Sequence, residues 1–429
     1  MYFYAPPFII VKETGCYSIL DQLGSKYRLD KETLIVALHV LGKKTTTALL
    51  DPLTAEYPIK DSNGRLRTLV DKGVITLVRY KRKDSFNHRK VLERIISDSG
   101  KEGDILNLGN LTLASIKNCP YKCEGCYADY TPQNYTEIGL HRLKESIEDA
   151  ATMGVNQLTL SGGEVTASEK SAKKTAELSK FAISRGIGSI TIVTTGYKLD
   201  RFIDLFLDSG VNHFQISLDG PKEYNDSYKM CAGATELSFK AIKTCQNKNV
   251  DYTTNTVVTK KNFDMIPAFV KELASKDVNN LRLSKVLSAK NNLEIDASKG
   301  ELLEGLINNL KREHPSITIN SPFGNPYILE DCVNCVAGKL YAHIDSVGSV
   351  LPCAFMNGRV VGNINNQRLI DLWSIKNPVL KTLSEGVKLD TKCSSCKERY
   401  HCFGNCIVDY EFKRSNCKNG QPIRKFTKN

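Results

Sequence analysis

Three cysteines stand at C-x3-C-x2-C spacing in Cys119-Pro120-Tyr121-Lys122-Cys123-Glu124-Gly125-Cys126, where an apolar run from Asp104 to Ile116 gives way to a loop. Thiolates are the usual protein ligands of iron–sulfur clusters, and one loop can wrap three of them around a cube. A [4Fe–4S] cluster has four irons, so three cysteines leave one iron open to chelate a small molecule through amino and carboxylate groups. Zinc is the competing reading, but it usually takes four ligands in paired spacing.

Composition narrows the setting. The chain has 429 residues, 41% of them apolar and 25% charged, which fits a globular protein of two or three domains. No uninterrupted apolar run reaches the ~18 residues that span a bilayer. The opening MYFYAPPFIIVKETG lacks the basic start and long apolar core of a secretory signal, so we expect a cytoplasmic protein with no membrane partner. In that reducing compartment fourteen cysteines point to metal ligation over disulfides. Three lie in 119–126 and eight in 332–417; Cys16, Cys231 and Cys245 stand alone as ordinary apolar residues. The net charge of +12 includes a basic run at Arg79–Lys90, read as a solvated linker before an acidic or nucleic-acid contact.

Residues 1–78 read as a unit of their own. Phe8–Lys12, Cys16–Leu20 and Ser25–Leu29 are strand candidates, followed by helices over Lys31–Leu41, Thr45–Leu50 and Arg65–Lys72. This order resembles the winged-helix-like peptide-recognition domain of peptide-modifying enzymes. That resemblance implies a leader segment of a precursor peptide adding as an extra strand. A winged-helix nucleic-acid module shares the pattern; nucleic acid is nonetheless not the expected partner. Residues 79–103 form a charged linker.

From Asp104 strands and helices alternate. Strand candidates are Asp104–Ala114, Gln157–Leu160, Ser189–Val193, His213–Leu218, Tyr252–Val258 and Leu281–Val286, with helical stretches between. Six β/α units predict a partial (β/α)6 barrel over 104–290, with its site at the carboxyl ends of the strands. Ser161-Gly162-Gly163-Glu164 follows the second strand, Thr195-Gly196 closes the third, and Ser217-Leu218-Asp219-Gly220 closes the fourth. With the cysteine loop, these resemble the radical S-adenosylmethionine (radical SAM) family. The resemblance implies that Cys119, Cys123 and Cys126 hold a cluster whose open iron binds SAM, cleaved by one electron to methionine and a 5′-deoxyadenosyl radical. It further implies that Tyr127, Gly162, Gly163, Glu164, Thr195, Ser217, Asp219 and Lys229 contact SAM, the Glu164 carboxylate holding the SAM amino group and the Lys229 ammonium a carboxylate. The sequence departs from the family pattern at Gly125, where an aromatic residue is common, and at Val165, where Pro often stands. It departs also at Thr194-Thr195, in place of Asn before Gly196, and at Lys229, where relatives often carry Arg.

Residues 291–330 form a bridge, and the second cysteine group follows over 331–429. Cys335, Gly348, Cys353, Cys393-x2-Cys396-x5-Cys402-x3-Cys406 and Cys417 resemble the seven-cysteine SPASM domain. With Cys332 there are eight thiols, enough for two ligated [4Fe–4S] clusters. The resemblance implies Cys332, Cys335, Cys353 and Cys406 for one and Cys393, Cys396, Cys402 and Cys417 for the other, three clusters in all with that of the barrel.

The implied function is a radical SAM oxidoreductase. It takes an electron from a flavodoxin or ferredoxin, abstracts hydrogen from a ribosomally made precursor peptide and installs a thioether or carbon–carbon crosslink. Two alternatives stay within the family: a sulfatase-maturing enzyme, disfavoured because Ala354 replaces the usual Asp after Cys353, and a peptide epimerase with Cys231 or Cys245 as hydrogen donor. An iron–sulfur DNA-binding regulator is the reading from another class.

Overall fold

Along residues 110–116, 157–162 and 189–194 apolar and polar side chains alternate, and that period gives each strand two unlike faces. The computed structural model describes residues 1–5, 8–21, 26–46, 49–79, 81, 84–126, 138–286, 293–295, 297–320, 336–356 and 358–384.

The N-terminal unit comprises β1 (Tyr2–Tyr4), β2 (Phe8–Glu13), β3 (Cys16–Asp21), β4 (Lys26–Leu29), α1 (Lys31–Val40), α2 (Asp51–Glu56), α3 (Ser62–Asp71) and β5 (Thr76–Val78). β2, β3 and β4 form a three-stranded sheet in that order, and β1 pairs with β5. Asp30 caps α1 by accepting from the Thr33 amide at 2.8 Å. The helix expected over Thr45–Leu50 is displaced to α2, because Pro52 fits a first helical turn, where an amide hydrogen has no intrahelical partner.

Residues 79–103, expected as a linker, contain α4 (His88–Ile96). Arg89 and Glu93 are exposed, while Val91 and Ile95 are fully buried and Arg94 is buried with them, donating to the Leu106 carbonyl at 2.9 Å. The strand expected from Asp104 begins only at Asn110, because residues 103–107 are occupied with β2. The Lys12 amide donates to the Asp104 carbonyl at 3.0 Å and Leu106 to that of Ile10 at 2.8 Å. The buried Asn107 accepts from the Ile10 amide at 2.7 Å and donates to the Phe8 carbonyl at 2.9 Å. One continuous apolar core therefore runs from Phe8 and Ile10 through Phe86 into the large sheet.

That sheet contains β6 (Asn110–Ile116), β7 (Gln157–Gly162), β8 (Ser189–Thr194), β9 (His213–Ser217), β10 (Asp251–Val258) and β11 (Asn280–Lys285), all parallel and in sequence order. The helices between are α5 (Leu140–Thr152), α6 (Glu169–Ser184), α7 (Leu199–Asp208), α8 (Lys222–Tyr228), α9 (Ala234–Asn247) and α10 (Ile266–Ser275). These are the six units of the expected partial barrel. In register, Leu111, Leu158 and Ile190 form one row and Leu113, Leu160 and Ile192 another. Both pack against the helices, each side chain contributing about 1.5–3 kcal/mol on full burial. The row Thr112, Thr159 and Thr191 lies on the opposite, inner face. After α11 (Ala297–Glu313), β12 (Thr318–Asn320) adds beside β11; β13 (Tyr341–Ile344), β14 (Ser349–Leu351) and β15 (Gly362–Asn363) extend the β6 side to ten strands. The short helices α12 (Leu369–Leu372) and α13 (Pro378–Ser384) follow. No helix among the described residues is long and apolar enough to cross a membrane.

Candidate active site

Because β6 to β11 are parallel, the segments leaving their carboxyl ends gather on one side of the sheet. The cysteine loop leaves β6, and three neighbouring segments hold it.

The first is the turn after β7. Gly162 has φ +144°, and a β-carbon there would run into the Ile116 carbonyl; one at Gly163 would meet the Asn118 carbonyl. With no side chains in the way, the Gly163 amide donates to Ile116 at 2.6 Å and Glu164 to Asn118 at 2.9 Å. The glycines thus fix residues 116–118 immediately before Cys119.

The second is the segment leaving β8, where the Tyr197 ring lies edge-on to Tyr121 of the loop, 6.0 Å between centroids, and where two threonines meet the fully buried Glu164. One carboxylate oxygen accepts from the Thr166 amide and hydroxyl at 3.2 and 2.7 Å and from the Thr194 hydroxyl at 2.7 Å. The other accepts from the Thr195 amide at 2.7 Å and its hydroxyl at 2.6 Å. Five donors fill the sites that two carboxylate oxygens offer. Thr166 was not singled out from sequence, and Thr194 only as a departure from the family's Asn.

The third segment is α8. The Glu124 amide donates to the Tyr228 carbonyl at 2.9 Å and Lys122 to that of Lys229 at 3.4 Å. Lys261 pairs with Glu124 at 2.5 Å from the far side. Lys229 is brought to Asp219 and Ser217: its Nζ lies 3.7 Å from Asp219 Oδ2 and donates to the Ser217 carbonyl at 2.5 Å. Asp219 Oδ1 accepts from the Val257 amide at 2.9 Å, and Asn262 donates to its carbonyl at 2.7 Å. Burial raises the Asp219 pKa, opposed by Lys229 and the Val257 amide.

All three cysteines of the loop are half-buried. Burial pushes the Cys119 thiol up to about 11 and Cys123 up to about 12. Sulfurs so desolvated become thiolates when a metal displaces the proton, which suits a cluster. Among the described residues no three His, Cys, Asp or Glu side chains converge on one metal ion. Tyr127 and the cysteines Cys332, Cys335, Cys393, Cys396, Cys402, Cys406 and Cys417 lie outside the described residues. Cys353 follows β14, half-buried, against Ala337, Met356 and Leu383.

The Radical SAM superfamily model matches residues 113–273, and the SPASM iron–sulfur cluster-binding domain matches 335–397. The chain carries both domains, and they imply SAM and iron–sulfur clusters as cofactors. It is 25% identical to pre-heme d1 synthase of Dinoroseobacter shibae, over 68% of this chain and 80% of that protein. It is 24% identical to the mycofactocin maturase MftC of Mycolicibacterium smegmatis, over 68% of this chain and 76% of that one. In fold it is similar to Streptococcus suis SuiB bound to precursor peptide SuiA, with a TM-score of 0.63 and 16% identity; the match covers 100% of this chain and 99% of that one.

Proposed function

We propose that this chain is a radical SAM maturase that modifies a ribosomally made precursor peptide, installing a thioether or carbon–carbon crosslink. The observation that carries the reading is the whole-chain likeness to SuiB, the N-terminal unit included. The N-terminal unit (1–78) takes the leader. β4 is an edge of its sheet among the described residues, and its Lys26 and Arg28 side chains are 45% and 72% exposed. An added strand gains backbone hydrogen bonds there.

Cys119, Cys123 and Cys126 hold the SAM-binding cluster. Cys332, Cys335, Cys353 and Cys406 hold one auxiliary cluster, and Cys393, Cys396, Cys402 and Cys417 the other. Together the SAM-binding cluster and SAM supply a one-electron cleavage that removes hydrogen from an unactivated carbon. Gly162, Gly163, Thr195 and Ser217 are SAM contacts, and Tyr127, outside the described residues, is assigned to SAM by the family resemblance alone. Glu164 and Asp219 position these contacts. The electron donor is a flavodoxin or ferredoxin, and the setting is the cytoplasm. A tetrapyrrole substrate, suggested by the pre-heme d1 synthase likeness, leaves the N-terminal unit without a task. Ala354 offers no base for formylglycine formation.

The test incubates the anaerobically reconstituted enzyme with SAM, a reductant and the short peptide encoded beside it. We expect 5′-deoxyadenosine and a product two mass units lighter per crosslink, because two hydrogens leave as a bond forms. The C119A/C123A/C126A variant should lose both and keep about eight irons. An unchanged mass with inverted stereochemistry would establish epimerisation, and turnover of a porphyrin instead of the peptide would overturn the reading.

A further inference from the structure

Arg282 stands in β11 between Leu281 and Leu283, both fully buried on the side of the helices. Strand alternation therefore turns Arg282 to the inner face of the sheet, where it is exposed. Its nearest neighbours on that face are all neutral. Asn255 stands across on β10, Asn320 across on β12, and Asn280 and Ser284 two positions away along β11. Among the described residues no carboxylate pairs with this guanidinium and no hydrogen bond holds it. Arg94 and Arg368, by contrast, are held by the Leu106 carbonyl and by Asp149.

The register sets this cation beside the site. Ser217, at the end of β9, pairs with Asn255, and Asn255 pairs with Arg282, so the three share one row across the inner face. Adjacent strands lie ~4.8 Å apart, which puts Arg282 roughly 10 Å from Ser217. Ser284 donates to Asn255 Oδ1 at 2.7 Å, so the acceptor of that amide is used and its N–H donors remain. A guanidinium fork with a side-chain amide next to it matches a carboxylate, which accepts two parallel hydrogen bonds from the fork.

We propose that Arg282, with Asn255 beside it, binds an acidic side chain of the precursor peptide and so sets which carbon of the peptide faces SAM. The proposal rests on the reading of the chain as a peptide maturase with SAM at Ser217. An extended chain covers about 3.3 Å per residue, so the acidic residue stands about three positions from the modified one.

The test measures binding of the labelled precursor peptide encoded beside this chain to the reconstituted full chain, with SAM affinity followed in parallel by equilibrium dialysis. Arg282→Gln should weaken peptide binding about tenfold, as loss of one charged hydrogen-bonded contact does, and leave SAM affinity at its wild-type value. Replacing the acidic residue of the peptide by its amide should cost the wild type the same factor and cost Arg282→Gln nothing more. Arg282→Glu should bind a peptide carrying lysine at that position better than the natural one, a reversal that a structural role alone would not produce. Equal binding by wild type and Arg282→Gln overturns the proposal, as does a precursor with no acidic residue near its modified position. Weaker SAM binding with peptide binding intact also overturns it and would give the guanidinium to the SAM carboxylate. A loss produced only by amidating the C-terminus of the peptide would overturn the side-chain assignment in favour of the terminal carboxylate. A wild-type chain that turns over a porphyrin and not the peptide would remove the underlying reading itself.

Discussion

The phenol of Tyr228 occupies the space where a side chain at Gly125 would begin. The Tyr228 ring stacks on Tyr224 at 5.7 Å and packs with Val286 and Leu293, while Cys123 lies against the same cluster. Where relatives place an aromatic residue in the loop, this chain brings one from α8. Gly125→Phe should therefore not restore the family pattern. Overpacking of this kind costs about 1–3 kcal/mol, and we expect iron bound at the loop to fall. Combining it with Tyr228→Gly should recover much of that iron, measured by chemical iron analysis. Full loading of the single variant would show that Tyr228 yields freely.

Glu164 accepts five hydrogen bonds from three threonines, and a glutamine would offer one acceptor oxygen and an amide that donates. Glu164→Gln should lower stability by about 1–3 kcal/mol, read by urea unfolding. Weaker SAM binding at unchanged stability would instead mean that the carboxylate serves the ligand.

Asp226 holds the turn behind Lys229, accepting from the Gly233 and Thr235 amides at 2.9 and 2.8 Å. Burial acts to raise its pKa, but the hydrogen bonds from Thr235 and Gly233 prevail and hold it at about 2, below the ordinary 3.8. A carboxyl depressed on folding stabilises above its unfolded pKa, and that stability is lost as pH falls through the folded one. The stability gap between wild type and Asp226→Asn, measured on iron-free protein, should be full at neutral pH and shrink between 3.8 and about 2. A constant gap would show that the carboxylate's charge has no part in it.

A chain beginning at residue 79 should not fold as the intact protein does. Removing Ile9, Ile10 and Val11, each at most 1% exposed, strips the core shared with Ile105 and Leu106. Circular dichroism and solubility test this directly. Leader binding is better probed by Arg28→Glu on β4, which should raise the KM for the precursor several-fold and leave SAM cleavage without peptide intact. A wild-type KM would move the leader site elsewhere.

The β/α alternation and the cysteine spacing were plain in the sequence because both are short-range periodicities. Val91 and Ile95 were hidden in a charged run, since two apolar residues four apart barely register among Arg89, Lys90, Glu93 and Arg94. The late start of β6 was not legible either: Asn107 is an ordinary polar residue until β2, nearly a hundred positions earlier, folds against it. At the site, spacing put Glu164 and Lys229 beside the loop, but only the fold showed which donors and acceptors each already has. Such partners come from other strands, and no local pattern encodes them.

The hydrogen bonds joining β2 to residues 103–107 also bear on how new specificity can arise. The same backbone that completes the small sheet runs on into β6 and then into the cluster loop. A chimera in which this front end is exchanged as a cassette would tear a seam shared by both halves. Retargeting to a new peptide has an easier route through single replacements on the outer strand, where side chains face outward and the seam is untouched.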